Sequence, residues 1–310
     1  VEPLRRRSDL DKLSPSGKNR RLVREAIRGE PMKIAPAAIA ALAFLACGSA
    51  WADSCPPLTV LSSNDMVSHA SGLVLVPATL GTGSKLMLID TGHAASEITP
   101  QAAQALHLDT YDKPVSGNSP QKMVLVSPFL LGNLRARALD FKVGDAHGLG
   151  SDAAIGGAIA TDILSTNDVE FDFARGKFNL LSSDHCDGKV VYWQAPAVSV
   201  VAMTISADGA IAFPVTLDGH TLTAALDTGA TATYLRPAAA KREFGAGPHA
   251  FQSLAFEGVA IANPAIMPGS DQNDAADSAT APSLVIGLDV LRHLHVYIAY
   301  REHKLYITPR

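Results

Sequence analysis

No Cys-x-x-Cys pair and no His-Glu-x-x-His segment occurs in this sequence, so it offers no metal-site spacing. Gly-x-Ser-x-Gly is also missing, which disfavours a serine hydrolase. Charge is sparse, at 18% of residues against 47% hydrophobic, and such a chain is not disordered. Aromatic residues are scarce too. The apolar stretch 34–46 falls well short of the roughly 20 residues a bilayer span needs. What remains is rich in Val, Ile, Leu and Ala, in short runs broken by Gly, Pro, Asp and Asn. That pattern predicts many short strands and few long helices. At 310 residues the chain has room for two domains.

The charge is unevenly placed. Residues 1–52 hold 10 Lys or Arg and 5 Asp or Glu, which leaves residues 53–310 at net −9. An acidic body argues against nucleic acid as a partner. The basic excess belongs to a leader. Met32-Lys33, the apolar run, and Ala50-Trp51-Ala52 together read as a signal peptide over 32–52, cut before Asp53. A buried or interfacial helix is the plainer reading of the same run. Residues 1–31 are then either an untranslated stretch upstream of a start at Met32 or a long basic n-region, in which Arg20-Arg21 is a weak twin-arginine candidate. Phe44-Leu45-Ala46-Cys47 offers a second option, a lipid anchor on Cys47, although Phe suits the first position of such a signal poorly. Cleavage before Asp53 leaves Cys55 and Cys186. An even pair in an oxidising compartment suggests one disulfide; two buried free thiols are the alternative. The expected location is secreted or periplasmic, with no stable membrane span.

An internal repeat organises the rest. Residues 76–103 align without a gap on 213–240, and 10 of 28 positions are identical. About two would be expected by chance at average residue frequencies. The matches include Pro77, Thr79, Leu80, Asp90, Thr91, Gly92 and Pro100, which recur as Pro214, Thr216, Leu217, Asp227, Thr228, Gly229 and Pro237. A second block, 158–180, matches 285–307 at a shift ten residues smaller. A loop between the blocks can absorb that difference. Two copies are too few for a solenoid. They predict two similar lobes, 53–190 and 191–310, joined near Trp193-Gln194-Ala195-Pro196 and related by a pseudo-twofold axis with a site between them. Each lobe should open with a hairpin, around Gly81-Thr82-Gly83-Ser84 in the first and Asp218-Gly219 in the second. Each Asp-Thr-Gly should be followed by a short helix, one capped by Thr99 with Pro100 at its start, the other begun by Pro237. Strands are expected over 123–131, 134–143, 252–256 and 259–266, and each lobe should end in a strand pair.

One Asp-Thr-Gly is usually a strand-ending turn. Two, each after an apolar strand at matching points of a repeat, bring Asp90 and Asp227 to one interface. Two carboxylates about 3 Å apart cannot both ionise easily and share a proton, so one serves as base while the other serves as acid. Gly92 and Gly229 would allow close backbone approach and unusual dihedrals. Thr91 and Thr228 supply hydroxyls able to lock the two turns together.

Asp227-Thr228-Gly229-Ala230-Thr231 resembles the active-site segment of the retropepsin-like and pepsin-like aspartic proteases, and Val285-Ile286-Gly287 through Leu291 resembles the apolar segment that packs beside it. The resemblance covers nearly all of the region after the leader. It implies an all-β fold with two lobes of the acid-protease barrel type and a peptide cleft between them. It also implies endopeptidase activity by an Asp90/Asp227-activated water, no cofactor, and a peptide or protein substrate. A single chain supplies both halves, so a monomer suffices. The family covers its cleft with a hairpin flap, expected here at 115–124 around Gly117-Asn118-Ser119-Pro120; the region 245–248 of the second lobe is shorter. His93 stands where the family has Ala or Ser and could modulate the pair, and Ala160 replaces the glycine matching Gly287. The competing function is a peptide-binding protein that keeps the fold without turnover. Asp162 and Asp289 are expected to cap short helices, His293 and His295 to lie on a solvated face, and 269–283 to form a loop.

Overall fold

A computed structural model describes residues 55–115, 119–206, 209–270 and 281–310. The leader 1–31, the signal segment 32–52, Cys47 and the cleavage point at Asp53 lie outside the described residues. So do Gly117 and Asn118 of the expected flap and most of the 269–283 loop. No helix among the described residues is long and apolar enough to cross a membrane.

The fold is mostly β, as expected, and is built from three sheets. Two are curled half-barrels: a ten-stranded sheet drawn from residues 67–159 and an eight-stranded sheet drawn from 204–286. Each begins with a long hairpin, Val74–Leu80 with Gly83–Ile89 in one and Ile211–Leu217 with His220–Leu226 in the other. The two first strands share one burial pattern along their length. Apolar side chains fill the core, and the repeated proline, Pro77 or Pro214, sits on the exposed face. Asp218 and Gly219 both take positive φ (46° and 86°), which the tight two-residue hairpin demands. In each half-barrel a later strand, Ile155–Ile159 or Leu284–Ile286, runs parallel to the second hairpin strand. Val76, Leu80, Met87 and Phe141 of one sheet share a single buried core with Ile211, Phe213, Leu217 and Leu254 of the other.

The third sheet has six strands and mixes the two ends of the chain. Its order places Asp168–Asp172 antiparallel to Leu294–Ala299, so the closing strand pairs of the two repeats lie side by side. It also carries buried carboxylates. Asp168 accepts from His185 Nε2 at 2.7 Å, the Tyr297 hydroxyl at 2.9 Å and the Tyr300 N–H at 3.1 Å. Glu170 accepts from Asn179 Nδ2 at 2.6 Å, lies 2.7 Å from His295 Nε2 and takes the Tyr192 hydroxyl. Burial of a carboxylate is tolerated where its oxygens are bonded in this way. His293 is exposed as expected, but His295 is buried against Glu170 and stacks on Trp193 at 4.1 Å. A disulfide joins Cys55 to Cys186 beside this sheet.

Several boundaries differ from the sequence reading. The expected strand 123–131 is two strands, Gln121–Val126 and Phe129–Leu131, separated by Ser127 and a cis Pro128. The expected 134–143 strand is likewise divided, into Leu134–Ala136 and Leu139–Val143. Asp109–Lys113 forms an unforeseen strand. Every residue in it is exposed, so it lacks the apolar alternation that reveals strands in sequence. It pairs antiparallel with Gln121–Val126, so the later part of the region expected for the flap, from Gln121, is strand.

Candidate active site

Asp90 and Asp227 directly follow the second hairpin strand of their respective sheets. The Asp90 N–H donates to the Ile159 carbonyl at 2.9 Å and the Asp227 N–H to the Ile286 carbonyl at 3.1 Å, so the parallel strand fixes each turn in the same way. The two threonines then bond reciprocally. The Thr228 hydroxyl accepts the Thr91 N–H at 3.1 Å and donates to the Ile89 carbonyl at 2.6 Å. The Thr91 hydroxyl accepts the Thr228 N–H at 3.1 Å and donates to the Leu226 carbonyl at 2.9 Å. Both threonines are buried. Each turn thus satisfies backbone groups of the other with a side chain that water cannot replace.

This lock sets the carboxylates against the opposite glycines. A β-carbon on Gly92 would fall 2.3 Å from Asp227 Cγ, and one on Gly229 would fall 2.7 Å from Asp90 Oδ1 and 3.1 Å from Asp227 Oδ1. The two acids therefore share the space above Gly229. Close approach is what requires glycine here. Neither residue adopts a positive φ. Within each turn the glycine N–H donates back to its own aspartate, at 2.9 Å for Gly92 and 2.8 Å for Gly229.

The flanking segments also pair alike. Thr161 and Asp162 donate their N–H groups to the His93 and Ala94 carbonyls, as Leu288 and Asp289 donate to Ala230 and Thr231. The buried Ala160 keeps this pairing despite its methyl. Asp162 and Asp289 are not the helix caps; Ala160 and Gly287 hold those positions. The carboxylates reach across to the strand after each Asp-Thr-Gly. Asp162 accepts from the Ser96 N–H and hydroxyl, and Asp289 accepts from the Thr233 hydroxyl at 2.6 Å.

The two acids differ in their neighbours. His93 lies with Nδ1 3.3 Å from Asp90 Oδ2, and His147, 57 residues from Asp90, brings Nε2 to 2.5 Å from the same oxygen. The rings meet edge to face at 4.6 Å. His147 carries no sequence signal. Its turn is nevertheless costly, since Ala146, His147 and Gly148 all have positive φ (48°, 60° and 77°). Such backbone persists only where the surroundings impose it. Here the Ala146 N–H donates to Glu97 Oε2 at 3.3 Å, the Gly144 N–H donates to the Ile98 carbonyl at 3.1 Å, and the Ala146 side chain is buried.

Burial pushes Asp90 toward protonation, but hydrogen bonds from His147 and His93 outweigh it and hold the carboxyl well below the usual carboxylate range. Asp227 is pushed up to about 6, first by burial and then by the charge of Asp90. The bond to Asp90 raises both histidines, against the opposing effect of their own partial burial. The arrangement can hold an ionised Asp90 beside a protonated Asp227. Asp90, His93 and His147 also present one donor atom each, all within 4.8 Å of one another, a set that no sequence spacing reveals.

The chain matches no protein-family model and no curated protein.

Proposed function

We propose that the chain is an aspartic endopeptidase with two lobes related by a pseudo-twofold axis. The single observation that carries this is the reciprocal Thr91–Thr228 bonding, which delivers both Asp-Thr-Gly carboxylates to one place. Asp90, held ionised, takes a proton from a water lying between the acids as that water's oxygen attacks the peptide carbonyl carbon. Asp227, held protonated, donates its hydrogen bond to the carbonyl oxygen and stabilises the negative charge that develops there. The tetrahedral adduct then collapses. The C–N bond breaks, the amine leaves with the proton that Asp90 collected, and carboxylic acid and amine result. The substrate is a peptide or protein. The disulfide supports an oxidising, secreted or periplasmic location.

One observation favours a second reading, a peptide-binding protein without turnover. Both histidines bond the same oxygen of Asp90, where a catalytic water would be activated. Chelator-treated protein and a mixed peptide library separate the two, assayed across roughly pH 3 to 7, the range a carboxylate pair sets, with and without pepstatin. Cleavage that pepstatin blocks and that Asp90→Asn or Asp227→Asn abolishes is the expected result. Folded protein that binds peptides and cleaves none at any pH would establish the second reading.

A further inference from the structure

We propose that Asp90, His93 and His147 form a site for a zinc-type divalent cation, and that filling it silences the peptidase. The second half rests on the proposed function; the first stands on the donors alone. Asp90 Oδ2 and His93 Nδ1, three residues apart, converge with His147 Nε2 from a distant turn. Two imidazoles and one carboxylate suit zinc and its borderline neighbours and disfavour magnesium or calcium, which want oxygen throughout. Three protein ligands with a further position open is the usual make-up of a reactive zinc centre. The separation of His93 Nδ1 from Asp90 Oδ2 is 3.3 Å. Zinc bonds of about 2.0–2.1 Å at tetrahedral angles put neighbouring donors about 3.3–3.4 Å apart. The His147 contact, at 2.5 Å, is a direct hydrogen bond that must open to admit an ion. Its side chain is 29% exposed, which leaves the ring solvent into which to turn while its backbone stays held.

Access and support fit the same reading. The carboxylate is fully buried while the His93 side chain is 55% exposed, so an ion enters from the imidazole face and meets an oriented anion beneath. Asp227 stands beside Asp90 as a second carboxylate, and Glu97 pins the His147 turn from behind. An ion here would hold Asp90 Oδ2, the oxygen that the proposed chemistry needs to accept a proton from water. A metal-bound dyad is therefore a closed one.

The test uses the full chain stripped with chelator and titrated with Co2+, read by its visible absorption, and with Zn2+, read by calorimetry. One ion per chain is expected. His147→Gln and His93→Gln should each weaken binding by well over about tenfold, the scale already seen when a residue that only orients a ligand is lost. His249→Gln, on a histidine of the second lobe, should leave it unchanged. X-ray absorption on zinc-loaded wild-type protein should report two imidazoles and no sulfur, which covers the case of a variant that misfolds. Absent binding, or stoichiometric binding indifferent to His147→Gln, would overturn the site. In parallel, cleavage by protein stripped of metal and then freed of chelator should vanish on adding one equivalent of Zn2+, and whatever cleavage His147→Gln retains should resist it. Zinc-loaded wild type that still cleaves overturns the silencing. Metal bound normally with no cleavage under any condition would instead defeat the peptidase reading and leave the site standing.

Discussion

Thr228→Val is the sharpest test of the lock. Valine matches threonine in shape and removes only the hydroxyl. That hydroxyl donates to the Ile89 carbonyl at 2.6 Å and accepts the Thr91 N–H at 3.1 Å, and its residue is 2% exposed. The substitution leaves one buried acceptor and one buried donor without partners. Each such group costs about 1–3 kcal/mol, so about 2–6 kcal/mol is expected in all. Set against a total stability of about 5–15 kcal/mol, that is a large fraction. Urea unfolding in the presence of chelator measures it as a lowered midpoint at unchanged slope. Thr228→Ser keeps the hydroxyl and should recover most of the loss. Thr91→Val should cost a similar amount, because its bonds mirror those of Thr228. The double variant should cost less than the two together by about 0.5–3 kcal/mol, since turns no longer tied can separate and hydrate their stranded groups. A Thr228→Val protein within about 0.5 kcal/mol of wild type, the range of an inconsequential surface change, would show that the hydroxyl ties nothing. A serine variant as unstable as the valine one would count equally against the lock.

Three further outcomes rest on the same geometry. Cleavage in chelator should be high below about pH 6 and fall above it, because Asp227 titrates there and must keep its proton to act as the acid; the acid limb should lie below the ordinary aspartate value of about 3.9, since Asp90 is held low, and a rate that climbs through pH 6 would contradict the roles assigned. Gly92→Ala puts a methyl 2.3 Å from Asp227 Cγ, and the about 1–3 kcal/mol typical of overpacking should appear as a roughly tenfold to hundredfold loss of kcat/KM with the fold kept by circular dichroism. Cys186→Ser opens a loop of 131 residues, so denaturant midpoints should register a loss of about 2–5 kcal/mol, and no change at all would mean the bridge does not restrain the unfolded chain.

Much of this was legible because the informative signals are local or repeated. The hairpin at Asp218-Gly219, the Thr99 cap and Pro100 start of the first helix, and the paired Asp-Thr-Gly turns all appear where short-range rules put them. The lock was foreshadowed by the two threonines, since a hydroxyl beside each acid has few other uses once the turns meet. Long-range polar pairings left no such trace. His295 reads as a surface residue next to His293, and only the strand pairing that sets it across from Asp172 and near Glu170 makes it a core group. His147 was invisible for a related reason. Its neighbours Ala146 and Leu149 look like ordinary loop residues, and what aims the ring is a run of positive φ that Ala and His seldom adopt.

His147 also shows how a repeated architecture can yield two unequal acids. The Asp-Thr-Gly turns are bonded alike, down to the amide each glycine returns to its aspartate, so nothing inside the repeat distinguishes base from acid. The difference is supplied from outside the matching positions. Ala230 stands in the second repeat where His93 stands in the first, and His147 lies in the stretch between the two repeated blocks, which is ten residues longer in the first copy. Both departures load the same oxygen of the same aspartate. A substrate-derived asymmetry would be needed if the pair were alone; here the chain imposes it before anything binds. The same loading gathers two imidazoles around a buried carboxylate, so the device that sorts the acids is also the one that can capture a cation. If that is how the site is built, removing the histidines should make the two aspartates more alike in titration and abolish the metal site in a single step.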